Sequence, residues 1–586
     1  MSLDIARLIA FSGISAAELQ ITVASSNISN ADTPGYTQKT ANQESLVTGG
    51  TGTGVTITGI TSNVDRLLLK SLVGATSDLG SASTVNDYMT KLQQLFGNAS
   101  NSEGSTNGNS LANTLASLES ALSALASNPS SVSQQSAVIS ALDDVASQLR
   151  TTSSSIQKLR ANADQDISTS VTSINTDLKQ INDLNKEIKQ AAASGQSTAD
   201  LEDQRNSALQ DLSSYMNVSY FTTSSGDLQV FTSSGQPLVD SIVHPISYTK
   251  TANVAASTTF SPITVNGVDI TSQITSGKIG GLLNMRDKTL PAAQSQLDEL
   301  ARELKSSLNE VSNQGTSLPP PASLTGTKTV AATDPLSSLP ASGTVRIAVV
   351  GQSGNLVSYQ DLDLSQYSTV GDLVNAINGI SGLSATVDAN GHLSIAATTA
   401  GDGVAINNMT SSVGSGGAGF SSFFGLNDLV TGSGAADFAV RGDFLDGDAG
   451  LPASTLDSSA TLTTGSQVLP PGSATIVNAL ESALTAQTNF AAAGGLSATT
   501  GSFADYASSI VADVASKASQ ASSAFTSKST AHSTYANSLS SQSGVNVDEE
   551  TNRVAALQNK YAAASQLIQA VNTMFNSLLT AVQSTG

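Results

Sequence analysis

The 586-residue sequence contains no cysteine and only three histidines, and charged side chains occupy 12 % of it, about half of the usual ~25 %. Without cysteine there is no disulfide framework, no thiolate nucleophile and no thiolate metal site. Cations are scarce too: 25 Lys and Arg face 46 Asp and Glu, for a net charge of −21. A phosphate backbone would meet repulsion instead of counterion release, so nucleic acid is not an expected partner. Aromatic residues are 4 % of the chain, and polarity comes mostly from uncharged Ser, Thr, Asn and Gln. No uninterrupted run approaches the ~18 apolar residues that span a bilayer, so no membrane insertion is expected. The N-terminus carries Asp4 and one early cation, Arg7, without the basic and apolar regions of a cleavable signal peptide.

Signs of catalysis are equally sparse. His244, His392 and His532 lie far apart in the chain without short-range ligand partners, and no serine sits in a G-x-S-x-G elbow. Gly277-Lys278 lacks the rest of a phosphate loop. No catalytic residue, metal or cofactor is therefore expected. Asp443, Asp446 and Asp448 around Gly447 could hold calcium, but their spacing departs from the EF-hand order and fits a solvated acidic turn better. Arg441-Gly442-Asp443 spells an adhesion tripeptide, which arises easily by chance in a Gly- and Asp-rich loop.

What the sequence does contain is period. Leu3, Ala10, Ile14, Ala17, Ile21, Ala24 and Ile28 keep helical spacing until Thr33-Pro34-Gly35 stops the helix. At the other end Val554, Leu557, Tyr561, Ala564, Ile568, Val571, Phe575 and Leu578 alternate steps of three and four, the knob spacing of a coiled coil. Between them a longer seam runs through Leu142, Val145, Leu149, Ile156, Leu159, Ala163, Ile167, Ile174, Leu178, Ile181 and Ile188 to Gly195. Asn128 is its expected N-cap, with Pro129 at the first helical position, and such a helix approaches ~100 Å. Shorter helices are expected near 64–96, 108–127, 199–214, 283–313, 502–541 and 546–582, with extended segments at 54–60 and 217–275. From Pro319-Pro320-Pro321 to Pro470-Pro471 helical periodicity gives way to short β-like alternations, as in 345–350 and 393–397, which reads as an inserted domain.

The stretch Asn27-Ile28-Ser29-Asn30-Ala31-Asp32-Thr33-Pro34-Gly35-Tyr36 resembles the N-I-A-N-x-x-T-P-G-Y signature of bacterial flagellar rod, hook and hook-associated proteins, with Ser29 replacing the usual alanine. Ser543-Gly544-Val545-Asn546-Val547-Asp548-Glu549-Glu550 resembles a segment of the first hook-associated protein family. Leu201-Glu202-Asp203-Gln204-Arg205 and the run from Gly280-Gly281-Leu282-Leu283 to Arg286 agree with it. Thr369 to Asn378 followed by Val387 to Ile395 is similar to a small motif of flagellins and hook-associated proteins, and reads as a short amphipathic helix and a hairpin turning at Asn390-Gly391. The resemblance implies a subunit of the hook-filament junction, exported through the flagellar channel to an extracellular position. The partners it implies are further copies in a helical lattice, the hook protein, a second junction protein, and an export chaperone that binds the C-terminal helix.

The expected fold is mainly α with β-rich portions: terminal coiled-coil helices, a rod domain built on a long helix, and an inserted β-rich outer domain. By residue, 1–35 is a seam helix pairing with 546–586 in an inner layer, 36–318 and 471–545 form the rod, and 319–470 is the insert. Leu3, Ile14, Ile21, Ile28, Val554, Leu557, Tyr561, Ile568, Val571, Phe575 and Leu578 are expected at the assembly interface, with Thr33, Pro34, Gly35 and Tyr36 setting the exit from the inner layer. Asp548, Glu549 and Glu550 serve equally well as a partner patch or as acids complementing a helix N-terminus. Terminal seams of this kind are expected to be loose in a free subunit and ordered in an assembly. Another axial protein, such as a hook protein or flagellin, is the nearest alternative. A secreted adhesin or enzyme carried on 319–470 is an alternative from a different class.

Overall fold

Residues 132–193 contain neither glycine nor proline, so nothing interrupts the helical ladder that their apolar seam favours. In the computed structural model, which describes residues 3–97, 110–336 and 339–584, they form one continuous helix of 62 residues. In chain order the helices begin with α1 (Leu3–Ser29), α2 (Arg66–Phe96), α3 (Leu111–Ser127), α4 (Val132–Ala193) and α5 (Ala199–Tyr215). They continue with α6 (Gly277–Asn284), α7 (Leu290–Ser312), α8 (Val370–Asn378), α9 (Phe420–Phe424) and α10 (Gly442–Leu445). The series ends with α11 (Thr475–Thr485), α12 (Phe503–Ser543) and α13 (Val547–Ser584). Several small antiparallel sheets accompany them, so the fold is mainly α with β-rich portions.

Every seam residue expected on α4 is buried, including Val145, Leu149, Ile156, Ile167, Ile174, Leu178 and Ile181. Its start differs from the expectation. Asn128 closes α3, its N–H donating to the Leu125 carbonyl, and Pro129 lies in the intervening turn. The Ser131 carbonyl accepts from Gln134 and Gln135 N–H, and α4 begins at Val132. A proline tolerated at a first helical turn is tolerated in a turn as well, and local sequence does not separate the two. Between α6 and α7 a single π turn spans Met285–Thr289. Pro291, one residue into α7, has no N–H for a backbone carbonyl one turn earlier, a common cause of such a bulge.

The described chain forms two units. One comprises residues 1–88, 161–286 and 519–586, the other 89–160 and 287–518. In the first, the strand expected at 54–60 is half of a longer hairpin, Lys39–Thr48 against Thr51–Ser62. The partner strand went unseen because Lys39 to Thr48 lacks the regular apolar alternation of a half-buried strand and is mostly exposed. The motif residue Gly281 lies so close to α2 that a Cβ there would stand 2.8 Å from the Ser81 carbonyl.

In the second unit, strand Thr344–Gly351 lies between Leu356–Asp363 and Asp402–Asn407. Val345, Ile347 and Val349 face a core completed by Leu373 and Ile377 of α8 and Phe420 and Phe424 of α9. Ala348 and Val350 face a second cluster with Leu456, Val468 and Leu469. The Arg346 side chain, fully buried, is held by Asp361 at 2.7 and 2.8 Å and by the carbonyls of Asp457 and Ser459. Cover on both faces explains why, apart from Arg346, the segment 345–350 is apolar throughout and not a strict alternation. Thr369 and Asp372 form a capping box on α8, and the hairpin Leu383–Val387/His392–Ala397 turns at Asn390-Gly391.

Candidate assembly interface

Helix α1 packs against α13. Gln38, shortly after α1, bonds the Ser543 carbonyl (2.8 Å) just before α13 and Glu550 in its first turn (2.6 Å), so the end of α1 meets the beginning of α13 and the two run antiparallel. The residues buried on α1 are mostly small, among them Ala10, Ala16, Ala17, Val23 and Ala24, whereas only Leu557, Val571 and Glu550 are buried on α13. Averaged over a window, α1 is also the one helix among the described residues long and apolar enough to cross a membrane, although no uninterrupted apolar run exists in it.

Below this pair a polar knot joins the motif turn to α5. Asn27 is fully buried. Its Nδ2 donates to the Lys39 carbonyl (2.9 Å), while its Oδ1 accepts from Lys39 N–H and the Tyr36 hydroxyl, each at 3.0 Å. Asp203 on α5 accepts from Thr37 N–H (2.9 Å) and from the Thr37 hydroxyl (2.7 Å), and pairs with the buried Lys39 ammonium. That ammonium also stands 4.2 Å above the Tyr36 ring. Burial, with Asp200, Asp203 and Glu550 nearby, pushes the Tyr36 hydroxyl pKa above its ordinary value. Gly35 adopts φ +79°, and a Cβ there would lie 2.5 Å from Ser207 Oγ, so this turn admits only glycine without rearrangement. Asp32 to Thr37, with Asp203 and Ser543, line a cleft of about 350 Å3.

The expected interface residues fall into two groups. Leu3, Ile14, Ile21, Ile28, Val554 and Ile568 are half-buried, and Leu557 and Val571 are buried. Tyr561, Phe575 and Leu578 are exposed, the last at 54 %. From Asn572 to Ser584 every residue is exposed, among them Met574, Leu579 and Val582, and on α1 so are Leu8, Phe11 and Leu19. The acidic trio divides. Asp548 and Glu549 face solvent, their N–H groups capped by Asn546 Oδ1 at 3.1 and 3.2 Å, whereas Glu550 is enclosed. Gln38, Lys39 and Asp203 had no assigned role from sequence, although Asp203 lies in a quoted motif, because their partners are distant in the chain.

The model of the flagellar hook-associated protein FlgK helical domain matches residues 89–326. Models of the flagella basal body rod protein, the flagellin hook IN motif and the flagellar basal body rod FlgEFG protein C-terminal match 8–37, 344–399 and 537–581. Flagellar hook-associated protein 1 of Escherichia coli (strain K12) is 24 % identical over 600 residues, covering 97 % of this chain and 98 % of that one. The chain is thus similar to flagellar hook-associated protein 1 along nearly its whole length. Flagellar hook-associated protein 1 of Salmonella typhimurium (strain LT2) is 25 % identical over 323 residues, 52 % of this chain and 56 % of that one. The solved structure of the flagellar hook junction protein FlgK from Burkholderia pseudomallei is 18 % identical, with a TM-score of 0.48, covering 80 % of this chain and 98 % of that one.

Two further segments singled out in the sequence are structural. Arg286 and Asp164, both buried, pair at 2.9 Å, with Tyr248 bonded to both and the Phe260 ring 4.1 Å from the guanidinium. In the adhesion-like tripeptide, Arg441 bonds its own Asp443 (Nε to Oδ1, 2.9 Å) and is largely covered. Among the described residues Asp443, Asp446 and Asp448 do not gather into a metal-binding cluster.

Proposed function

We propose that this protein is a structural axial component of the bacterial flagellum that joins hook to filament by helical self-assembly. The observation that carries the reading is the unfinished burial of its paired ends: α1 and α13 present Leu8, Phe11, Tyr561, Phe575, Leu578 and Val582 to solvent. Large apolar side chains left exposed in this number on two packed helices fit an interaction site, and a heterologous contact repeated between identical copies generates a helical array. The pair 1–35 and 546–586 then forms the inner layer, 36–318 and 471–545 the rod, and 319–470 an outer domain. Thr33 to Tyr36 sets the exit of the chain from the inner layer, and Asp548 and Glu549 are open to a cationic group of a neighbour.

The remaining partners follow from the same reading. Hook protein lies on one side of the ring and a second junction protein on the other. Before export an apolar helix such as α13 requires cover, which a chaperone supplies. The subunit reaches its extracellular position through the flagellar channel. The test is a deletion strain carrying either the wild-type gene or Phe575→Asp with Leu578→Asp. The variant should give intact hooks without filaments and shed filament protein into the medium. Normal filaments on that variant would remove α13 from the interface.

A further inference from the structure

Of the three Asn-Gly pairs in the described chain, one ends α8 at Asn378-Gly379 and two close hairpins, which are built differently. Asn390-Gly391 is crowded and pinned. Gly391 N–H donates to the Asp388 carbonyl (3.0 Å), the Gly391 carbonyl accepts from Val330 N–H (2.7 Å), and a Cβ on Gly391 would meet Thr329 and Val330 at 2.9 and 3.0 Å. Asn266-Gly267 joins Thr264–Val265 to Val268–Asp269 in the open. Asn266 has φ +50°, one of two non-glycine residues with positive φ among those described, and is exposed. Space around Gly267 is empty to 4 Å, and its N–H makes no hydrogen bond among the described residues.

The open turn also has a proton relay at its side-chain amide. Asn266 Nδ2 lies 3.0 Å from His244 Nδ1, and His244 Nε2 lies 3.1 Å from Asp240 Oδ2. The Asp240 carboxyl is held below its ordinary range, first by the Ile242 N–H and then by His244, so it is ionised at neutral pH. A carboxylate at Nε2 keeps a proton there and leaves Nδ1 facing the Asn266 amide, where it accepts from Nδ2 in the neutral ring and donates once solvent has protonated it. This is the arrangement of an oriented acid-base group facing a potential leaving nitrogen.

We propose that Asn266 is a site of self-modification by deamidation, assisted by the Asp240-His244 pair. Gly267 N attacks Asn266 Cγ, its proton passes to solvent, and the new N–Cγ bond gives a tetrahedral carbon. The nitrogen Nδ2, planar and without a free lone pair in the amide, gains one at this stage and takes the Nδ1 proton of His244. The Cγ–Nδ2 bond then breaks and ammonia leaves. One water opens the resulting succinimide to aspartate or isoaspartate, and His244 recovers its proton from solvent. Because the imidazolium bonds the amine only after the carbon becomes tetrahedral, the contact favours the transition state over the starting amide.

The experiment is peptide mapping by mass spectrometry of the full-length protein held at neutral pH and 37 °C, with Asn390 as an internal reference. Asn266 should gain the ammonia-loss and +1 Da products faster than Asn390. His244→Gln and Asp240→Asn should each slow Asn266 by about fivefold, far below the ~10²-fold of an evolved general acid, and leave Asn390 unchanged. An unchanged melting temperature shows that the variants are folded. A rate at Asn266 equal to or below that at Asn390, or one that His244→Gln leaves unchanged or raises, overturns the proposal.

Discussion

At the scale of single residues, the buried charges around the motif turn carry the most consequence. Lys39 and Asp203 are both enclosed, and removing one partner strands the other away from water. Lys39→Ala should therefore lower unfolding free energy by about 3 kcal/mol, whereas replacing both residues with apolar ones should be milder. Urea denaturation of the single and double variants measures the difference, and a fully stable Lys39→Ala would show that the pair is not structural. Asp177 on α4 behaves in the opposite way. Burial, and then the nearby Asp211, push its pKa up to about 6, and its Oδ2 is buried without a hydrogen-bond partner among the described residues. The folded state thus holds this proton more tightly than the unfolded chain, whose value is near ~3.9. The resulting penalty is absent below pH ~4, grows as pH rises towards 6, and is complete above it. Because the carboxyl is half open to water, screening reduces the effect to about 1 kcal/mol. Asp177→Asn should raise the melting temperature at pH 7.5 and leave it nearly unchanged at pH 3.5.

At the scale of elements, α4 and α13 have similar apolar periodicity and opposite fates. The α4 seam is covered by its own chain, but on α13 the last buried residue is Val571. Hydrogen exchange of the free subunit should accordingly show slow labelling through the α4 seam and fast labelling from 572 onwards. Val571→Asp places a charge in the α1-α13 contact and should loosen both helices. Leu578→Asp, at an exposed position, should change the free subunit's stability by less than ~0.5 kcal/mol yet prevent assembly. Equal losses of monomer stability from the two changes would mean that the distal part of α13 is packed within the subunit.

At the scale of the whole molecule, the segment 319–470 is tied to the helices of its own unit. Asn309 Oδ1 accepts from Leu429 and Val430 N–H at 2.9 and 3.1 Å, Ser312 Oγ donates to the Asn427 carbonyl (2.6 Å), and Asn313 Oδ1 accepts from Ser421 and Asn427. Arg150 donates to the Phe438 carbonyl at 2.6 Å. Replacing 319–470 by a Gly/Ser linker removes all of these partners from α7 and α4. Calorimetry should then show a lower transition for the unit containing α7, while exchange at the α1-α13 contact, which belongs to the other unit, stays as in the intact chain. Identical thermograms for the intact and shortened proteins would mean that these bonds do not contribute measurably.

Local periodicity was enough to read the long helices, though not the short α6, α9, α10 and α11. The α4 seam, the α8 helix with its hairpin, and the ends of α12 and α13 lie within a few residues of where spacing and turn chemistry place them, because a helix or hairpin depends on neighbours a few positions away. The same signal could not tell whether a seam is covered. Leu178 and Leu578 occupy equivalent positions in their patterns, and one is sealed while the other is exposed. Nor could it reveal the knot under Thr33 to Tyr36, where Lys39 meets Asp203 164 positions away and Gln38 meets Glu550 512 positions away. Glu550 was one of three apparently equivalent acids. Its enclosure, beside solvent-facing Asp548 and Glu549, depends on the antiparallel return of the chain. Pairings at such separations come from the packing of distant segments, and no feature of the local sequence encodes them.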